Sequence, residues 1–185
     1  MPGDTVFYGS YQSDVIKWYV VDVNRSADTA LLVSCQAIDV VQYHHSTSRT
    51  SWGQSDIRSW LNGDFYYGVF TNFERGHIVS TRVEDSVDYV FILSANEVQR
   101  YLYYLGGNAR LTGTSFCRTN RTHTGKPIYV NSEYGTSSWW LRSAYTDSKA
   151  EFVTGAGKIN GGSNPPTATD NGVRPAMWVS MSSFR

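Results

Sequence analysis

The sequence predicts an α+β fold in a single domain, built from antiparallel sheets, two or three helices and a loop-rich C-terminal part. Three observations point there. Short alternating apolar runs follow one another early in the chain with polar turns between them, the pattern of an antiparallel meander. Ser94-Ala95-Asn96-Glu97 is a capping box followed by apolar residues at helical spacing. Near the end, two stretches of large apolar residues enclose a segment rich in Ser, Thr, Asn and Gly. At 185 residues the chain can bury one sizeable core, and no linker divides it.

Taken in order, residues 6–11 and 16–23 read as strands joined through Gln12-Ser13-Asp14, and residues 29–35 as a third strand after the polar turn 24–28. Residues 38–43 form a short piece, extended or helical. Ser55 or a neighbour caps a helix with Ile57, Trp60 and Leu61 on one face, and Gly63 suits its end. Asp64 is placed to cap a second short helix that buries Phe65, Val69 and Phe70. Asn72 opens a further turn, in which the Glu74 carboxylate favours a helix N-terminus. Residues 87–93 read as one strand. The helix behind the capping box carries Val98, Tyr101, Leu102 and Leu105 as far as Gly106-Gly107. Residues 108–124 are a polar loop and 128–130 a short strand. Residues 139–143, 150–153, 157–161 and 173–181 are short strands joined by Gly-, Asn- and Pro-bearing turns.

Charge narrows the partners. Lys+Arg 16 balance Asp+Glu 16 with no run of either sign, whereas nucleic acid needs a basic face. No apolar run has the length of a membrane span, so no membrane insertion is expected. Met1-Pro2-Gly3-Asp4 shows neither a basic n-region nor an apolar h-region, so no signal peptide is expected. A place on a virion or cell surface would then come through a partner. The 13 Tyr and 6 Trp suit an interaction surface, since Tyr gives contact area at low entropic cost, and suit a β-rich core equally. Nothing in the sequence speaks to oligomeric state.

The two apolar frames are Trp139-Trp140-Leu141-Arg142-Ser143 and Gly172-Val173-Arg174-Pro175-Ala176-Met177-Trp178. Core packing is expected for at least two of Trp139, Trp140 and Trp178. Arg142 and Arg174 are expected to pair with a buried carboxylate or carbonyl and so fix the loop bases. Between the frames, residues 144–171 carry side chains that form turns and hydrogen-bond to whatever lies opposite. A rigid border around an adaptable polar surface suits binding more than catalysis. The candidate ligand-binding residues are Tyr145, Thr146, Asp147, Ser148, Thr154, Asn160, Ser163, Asn164, Thr167, Thr169 and Asn171, with Tyr145 as aromatic anchor.

A motif series spans nearly the whole chain: Ile16-Lys17-Trp18-Tyr19-Val20-Val21-Asp22, Ala30-Leu31-Leu32-Val33-Ser34, and Trp52 through Ile57-Arg58-Ser59-Trp60-Leu61-Asn62 to Phe65-Tyr66. It continues with Val90-Phe91-Ile92-Leu93-Ser94 and the two frames. In number and order these blocks resemble a family of bacterial and viral domains with a C-type-lectin-like fold, of the kind also seen in formylglycine-generating enzymes. The resemblance implies one lectin-like domain whose first and last strands pair and bring the termini together. Some members of that fold are variable proteins of diversity-generating retroelements, in which adenine-directed mutagenesis rewrites a C-terminal segment that the scaffold displays. Residues 144–171 occupy the position of such a segment. Randomising the adenines of an Asn codon ending in a pyrimidine reaches all the candidate residues above, but not Lys149, Glu151 or Lys158. The expected partner is a protein or glycan ligand on another cell or particle.

Metal and enzyme chemistry find little footing. His44-His45 are adjacent and so point to opposite faces of a strand, with no further ligand at local spacing; they read as loop histidines. The Glu-Pro-Asn and Trp-Asn-Asp signatures of calcium lectins are missing, so no calcium is expected, and no other cofactor. Formylglycine-generating enzymes use a pair of nearby cysteines with copper, whereas Cys35 and Cys117 lie far apart in sequence. Cys35 reads as a buried thiol, and whether the two pair is open. The alternatives to a recognition protein are therefore an oxidoreductase of that kind, or a conventional cell-surface carbohydrate-binding domain.

Overall fold

The computed structural model describes residues 1–47, 51–146, 149–160 and 164–184, with the side chain of Tyr145 outside that description. The fold is α+β. Its first part is the expected meander: β1 (Thr5–Tyr11), β2 (Asp14–Asn24) and β3 (Thr29–Ser34), paired antiparallel in chain order. Gln12 and Ser13, both at positive φ, make the tight turn between β1 and β2. A register shift between Val20 and Asp22 puts both Val20 and Val21 inside, which strict alternation would forbid. β3 is buried at all six positions, as befits a central strand covered on both faces.

After the short extended β4 (Asp39–Val40), the chain enters its helical part. Ser55 caps α1 (Asp56–Trp60) by accepting from the Arg58 N–H at 3.3 Å, and Ile57, Trp60 and Leu61 are buried as their spacing predicts. The helix does not stop at Gly63. It runs through a π turn, Leu61–Phe65, straight into α2 (Tyr66–Val69), so Asp64 lies inside a turn and caps nothing. Burial of Leu61, Phe65 and Val69 outweighs the glycine's weak propensity, and no Cβ would be crowded at Gly63. α3 (Asn72–Arg75) opens on a full capping box in which Thr71 and Glu74 bond reciprocally.

The strand expected over residues 87–93 is broken. Between β5 (Ile78–Val79), β6 (Thr81–Val83), β7 (Ser86–Asp88) and β8 (Phe91–Ile92), the Tyr89 and Val90 N–H groups donate to Asn62 Oδ1 at 2.8 and 3.1 Å. Asn62 Nδ2 donates to the Val90 carbonyl at 2.8 Å. One side chain thus replaces the ladder bonds, and β7 and β8 join different sheets. Beneath, the fully buried Asp88 carboxylate receives Arg58 Nε at 2.6 Å and Trp52 Nε1 at 2.7 Å.

The capping box at Ser94 and Glu97 forms, opening α4 (Ala95–Tyr101), which ends four residues before the buried Leu105 and gives way to turns at Gly106 and Gly107. Glu97 has a second role. Its carboxylate takes the Arg142 guanidinium in a two-pronged ion pair, with Nη2–Oε1 at 2.8 Å, while Arg142 Nη1 also donates to the Ile92 carbonyl at 2.7 Å. Residues 128–130, expected as a strand, form none. Ile128 N–H is spent on Cys117 O and Tyr129 N–H on Asp170 O, two different partners that no single ladder could supply.

The last part supplies β9 (Trp139–Thr146), β10 (Lys149–Val153), β11 (Ile159–Asn160), β12 (Gly172–Val173) and β13 (Pro175–Ser180). The first frame therefore does not end at Ser143 but runs on into the same strand. Among the described residues one sheet has the order β1-β2-β3-β13-β5 with β8 also on β13, and another the order β11-β10-β9-β12-β4. β1 and β13 share a sheet but do not pair, because β3 holds one edge of β13 and β5 and β8 hold the other. The ends still meet, through the Phe184 ring 5.8 Å from that of Tyr8.

Trp139 and Trp140 are completely buried, with indole N–H groups donated to Ala109 O at 3.0 Å and Val41 O at 2.9 Å. Trp178 is only partly covered. Replacing Trp140 by Ala should cost about 3–5 kcal/mol. Trp178→Ala should cost less than that, and Lys158→Ala, an exposed position between the frames, no more than about 0.5 kcal/mol. Urea denaturation of the three variants measures this directly, and equal losses at Trp140 and Lys158 would contradict the division into core and surface.

Candidate functional site

The site assembles where β9 begins and β10 ends. Val153 pairs with Trp139, and Phe152 pairs with Asn160 of β11 on its other side. β10 then closes through a tight turn in which Thr154 N–H donates to Lys158 O at 2.8 Å and Lys158 N–H to Thr154 Oγ1 at 3.2 Å. Gly155 lies against the neighbouring loop so closely that a Cβ there would come within 2.6 Å of Asn131 Cβ and 2.9 Å of Thr136 O. The contact is clamped by Thr136 Oγ1 donating to Gly155 O at 2.5 Å.

These approaches leave an open concavity of about 330 Å³. Thr154, Gly155 and Asn160 form one wall, Tyr129 and Asn131 another, and Asn164 and Asp170 a third, with Ser138 and Phe152 also lining it. Tyr129 is 51% exposed and Asp170 is exposed. Asn131 Oδ1 is occupied by the Glu133 and Tyr134 N–H groups at 3.0 and 3.1 Å, which holds the loop in shape. Beside Gly155, Arg110 lies over the Tyr134 ring at 4.2 Å and reaches Ala156 O at 3.4 Å.

Of the residues expected to bind, Thr154, Asn160 and Asn164 are brought together here. Thr146 is not: it is exposed and pairs with Lys149, at the opposite end of the β9–β10 pair. An eight-residue strand separates the two ends by about 20 Å. Asp147, Ser148, Ser163 and the Tyr145 side chain lie outside the described residues. Asn171 is a correction, because it is fully buried and cannot meet a ligand. Its Oδ1 accepts from Ser138 Oγ at 2.6 Å and from Asn164 Nδ2 at 3.2 Å, so it holds two lining residues from beneath. Thr167 and Thr169 are half-buried, and their carbonyls receive Gln42 Nε2 at 2.7 Å and Thr124 Oγ1 at 3.1 Å. Both are anchors of the backbone, away from the concavity.

Residues 27–181 match the family described as Domain of unknown function (DUF6273). The chain belongs to that family. No curated protein and no solved structure matches it. The matched span runs from just before β3 to just after β13, and so includes every residue that lines the concavity.

The sequence missed Tyr129, Asn131, Ser138 and Asp170 as site residues. Tyr129 and Asn131 sit in a loop whose only local signal is the Asn131-Ser132-Glu133-Tyr134-Gly135 turn, and nothing in the sequence says that it folds beside residue 155. A second concavity of about 300 Å³, lined among others by Tyr11, Lys17, Gln36 and Phe116, receives nothing from residues 144–171. Its Tyr11 hydroxyl is already given to Asp39 Oδ2 at 2.5 Å.

The cysteines fall outside both frames, and both are free thiols. Cys35 is half-buried, less than expected, while Cys117 is fully buried. Cys117 Sγ donates to Ala37 O at 3.1 Å, and burial pushes its thiol up to about 11, outweighing the hydrogen bond from Thr114. A thiol so held is a poor nucleophile and a poor ligand at neutral pH. It also makes the fold alkali-sensitive. The raised value means the folded state keeps a proton that the unfolded chain loses above about 9, so stability is whole below that pH and lost as pH rises toward about 11. Two units correspond to about 2–3 kcal/mol. Denaturation curves at pH 8.5 and 11 should show that loss, and Cys117→Ala should reduce it.

Proposed function

We propose that this chain is a non-catalytic recognition protein that displays part of its 144–171 segment as a ligand-binding surface. The scaffold reading that goes with it is C-type-lectin-like, and the functional analogy is to variable proteins of diversity-generating retroelements. One observation carries the proposal: Thr154, Asn160 and Asn164 gather with Tyr129, Asn131 and Asp170 around one open polar concavity. Amides, hydroxyls, a carboxylate and a half-exposed phenol ring are the groups that hydrogen-bond to sugar hydroxyls or peptide amides and stack on an apolar face. The ligand class is a glycan or protein on another cell or particle.

Rigidity favours the same reading. Each side chain that must be ordered on binding costs roughly 0.5–1.5 kcal/mol, so a preformed wall raises affinity. Here the walls are tied by backbone bonds at residues 129, 131, 154 and 172, and Asn171 fixes Asn164 from below. The thiol-based alternative is disfavoured by the buried, proton-holding Cys117.

Glycan and bacterial-surface arrays probed with labelled protein test the reading. Asn160→Ala, Asp170→Ala and Tyr129→Ala should each lower capture of the positive ligand at least tenfold with melting temperature unchanged. Thr146→Ala, at the far end of the hairpin, should leave it intact. Loss at Thr146 with retention at the concavity would move the binding face to the other end. The diversification part of the proposal is checked in the flanking DNA. A near-copy of the segment encoding 144–171 beside a reverse transcriptase, differing at adenines, supports it, and a lone gene without that template removes it.

A further inference from the structure

The adjacent histidines that the sequence presents as ordinary loop residues are not left alone by the fold. α1 brings Asp56 to them, so that His44 Nδ1 lies 3.1 Å from Asp56 Oδ1 and His45 Nδ1 lies 2.8 Å from Asp56 Oδ2. The potential ligand atoms of the three residues all lie within 4.8 Å of one another. The rings themselves are 4.1 Å apart, tilted rather than splayed to opposite faces. That arrangement needs an irregular backbone, and residues 44–47 form no strand.

We propose that His44, His45 and Asp56 bind a first-row divalent cation, Zn²⁺ by preference, through two imidazole nitrogens and one carboxylate. On a tetrahedral Zn²⁺ with ligands about 2.0–2.1 Å from the ion, neighbouring ligand atoms stand about 3.3 Å apart. The two imidazole–carboxylate separations, 3.1 Å to one Asp56 oxygen and 2.8 Å to the other, lie within about half an ångström of that edge. Binding exchanges two hydrogen bonds for metal bonds: the Nδ1–H groups that now donate to the carboxylate give up those protons, the neutral imidazoles carry theirs on Nε2, and the Nδ1 lone pairs turn to the cation. The carboxylate is held for this. Asp56 Oδ2 also accepts the His45 backbone N–H at 2.7 Å, an outer support of the kind that orients metal-bound carboxylates.

The donor set argues for the ion class. Two nitrogens and one oxygen suit zinc and its first-row neighbours, not calcium or magnesium, which take oxygen shells. Three protein ligands leave a fourth position open. It faces outward, since His45 is 72% and Asp56 42% exposed while His44 is 12%. The cation would also brace the site described above: His44 N–H donates to Pro166 O at 3.1 Å, within the segment that returns to β12.

Zn²⁺ titrated into the full chain at pH 7.5 against a chromophoric chelator tests the proposal. One equivalent should bind with a raised melting temperature. His45→Ala, at an exposed position, and Asp56→Asn, at a half-buried one, should each weaken it at least tenfold, and His77→Ala and His123→Ala should not. Co²⁺ should give visible bands of tetrahedral intensity that vanish in His45→Ala. Absence of stoichiometric binding, or binding that survives His45→Ala and Asp56→Asn and falls in the His77 or His123 variant, overturns the site. The readouts are independent of ligand capture, so failure here leaves the recognition reading untouched.

Discussion

The structure hangs on one buried cation. Residues 172–180 leave one sheet as β12, paired to β4 and β9, and enter the other as β13, paired to β3, β5 and β8. Arg174 stands at that crossing, 1% exposed. Its Nε donates to Ser34 O at 2.9 Å at the end of β3, and its guanidinium lies 4.9 Å over the Trp139 ring at the start of β9. One side chain thus touches the central strand of each sheet. Burial pushes it down to about 10, which still leaves it charged at neutral pH. Among the described residues Nη1 has no hydrogen-bond partner, and the aromatic face of Trp139 offsets part of the lost solvation. Two residues before it, Gly172 leaves no room for a side chain: a Cβ would come within 2.7 Å of both Ala37 Cβ and Ile128 Cδ1.

That crossing places the candidate site. Because Gly172 pairs with Trp139, and Gly172 N–H donates to Ser138 O at 2.9 Å, the residues just before both strands are forced together. These are Ser138 on one side and Asn171 and Asp170 on the other. The buried hydrogen bond between Ser138 and Asn171 is the polar floor on which Asn164 rests. Arg142 does the corresponding work at a distance, since its pairing with Glu97 fixes α4 against β9 through the same carboxylate that caps the helix.

What the sequence made legible were interactions local in the chain. The capping box at Ser94 and the Gln12-Ser13 turn depend on residues within a few positions of each other, and the three-strand meander joins neighbouring strands through short turns; all are present. The sequence reading misses the second box, at Thr71 and Glu74. The frames were legible as core because large apolar residues with a lone Arg have few other homes. What could not be read were side chains that replace backbone partners from afar. Asn62 splits the 87–93 strand from 28 residues away, and Asn171 looks like any loop amide until the Ser138 hydroxyl is seen bonded to it. Composition gave the same prior to Asn160, Asn164 and Asn171, although one is exposed, one half-buried and one sealed.

Under the proposed recognition reading, this sorting bears on how a varied surface would coexist with a fixed fold. Residues 164–171 are pinned largely through backbone: Pro166 O takes His44 N–H, Thr167 O takes Gln42, and Thr169 O takes Thr124. Carbonyl anchors do not depend on the side chain that bears them, so Thr167 and Thr169 can change identity while the path of the chain is kept. Asn171 differs, because its anchor is its own side-chain oxygen. Most replacements there would strand the buried Ser138 hydroxyl and release Asn164, at a cost of about 1–3 kcal/mol for the unsatisfied group, whereas Asn160 is exposed. Under the recognition reading, variation is therefore filtered by folding: free where the backbone is the anchor, and closed where the side chain is.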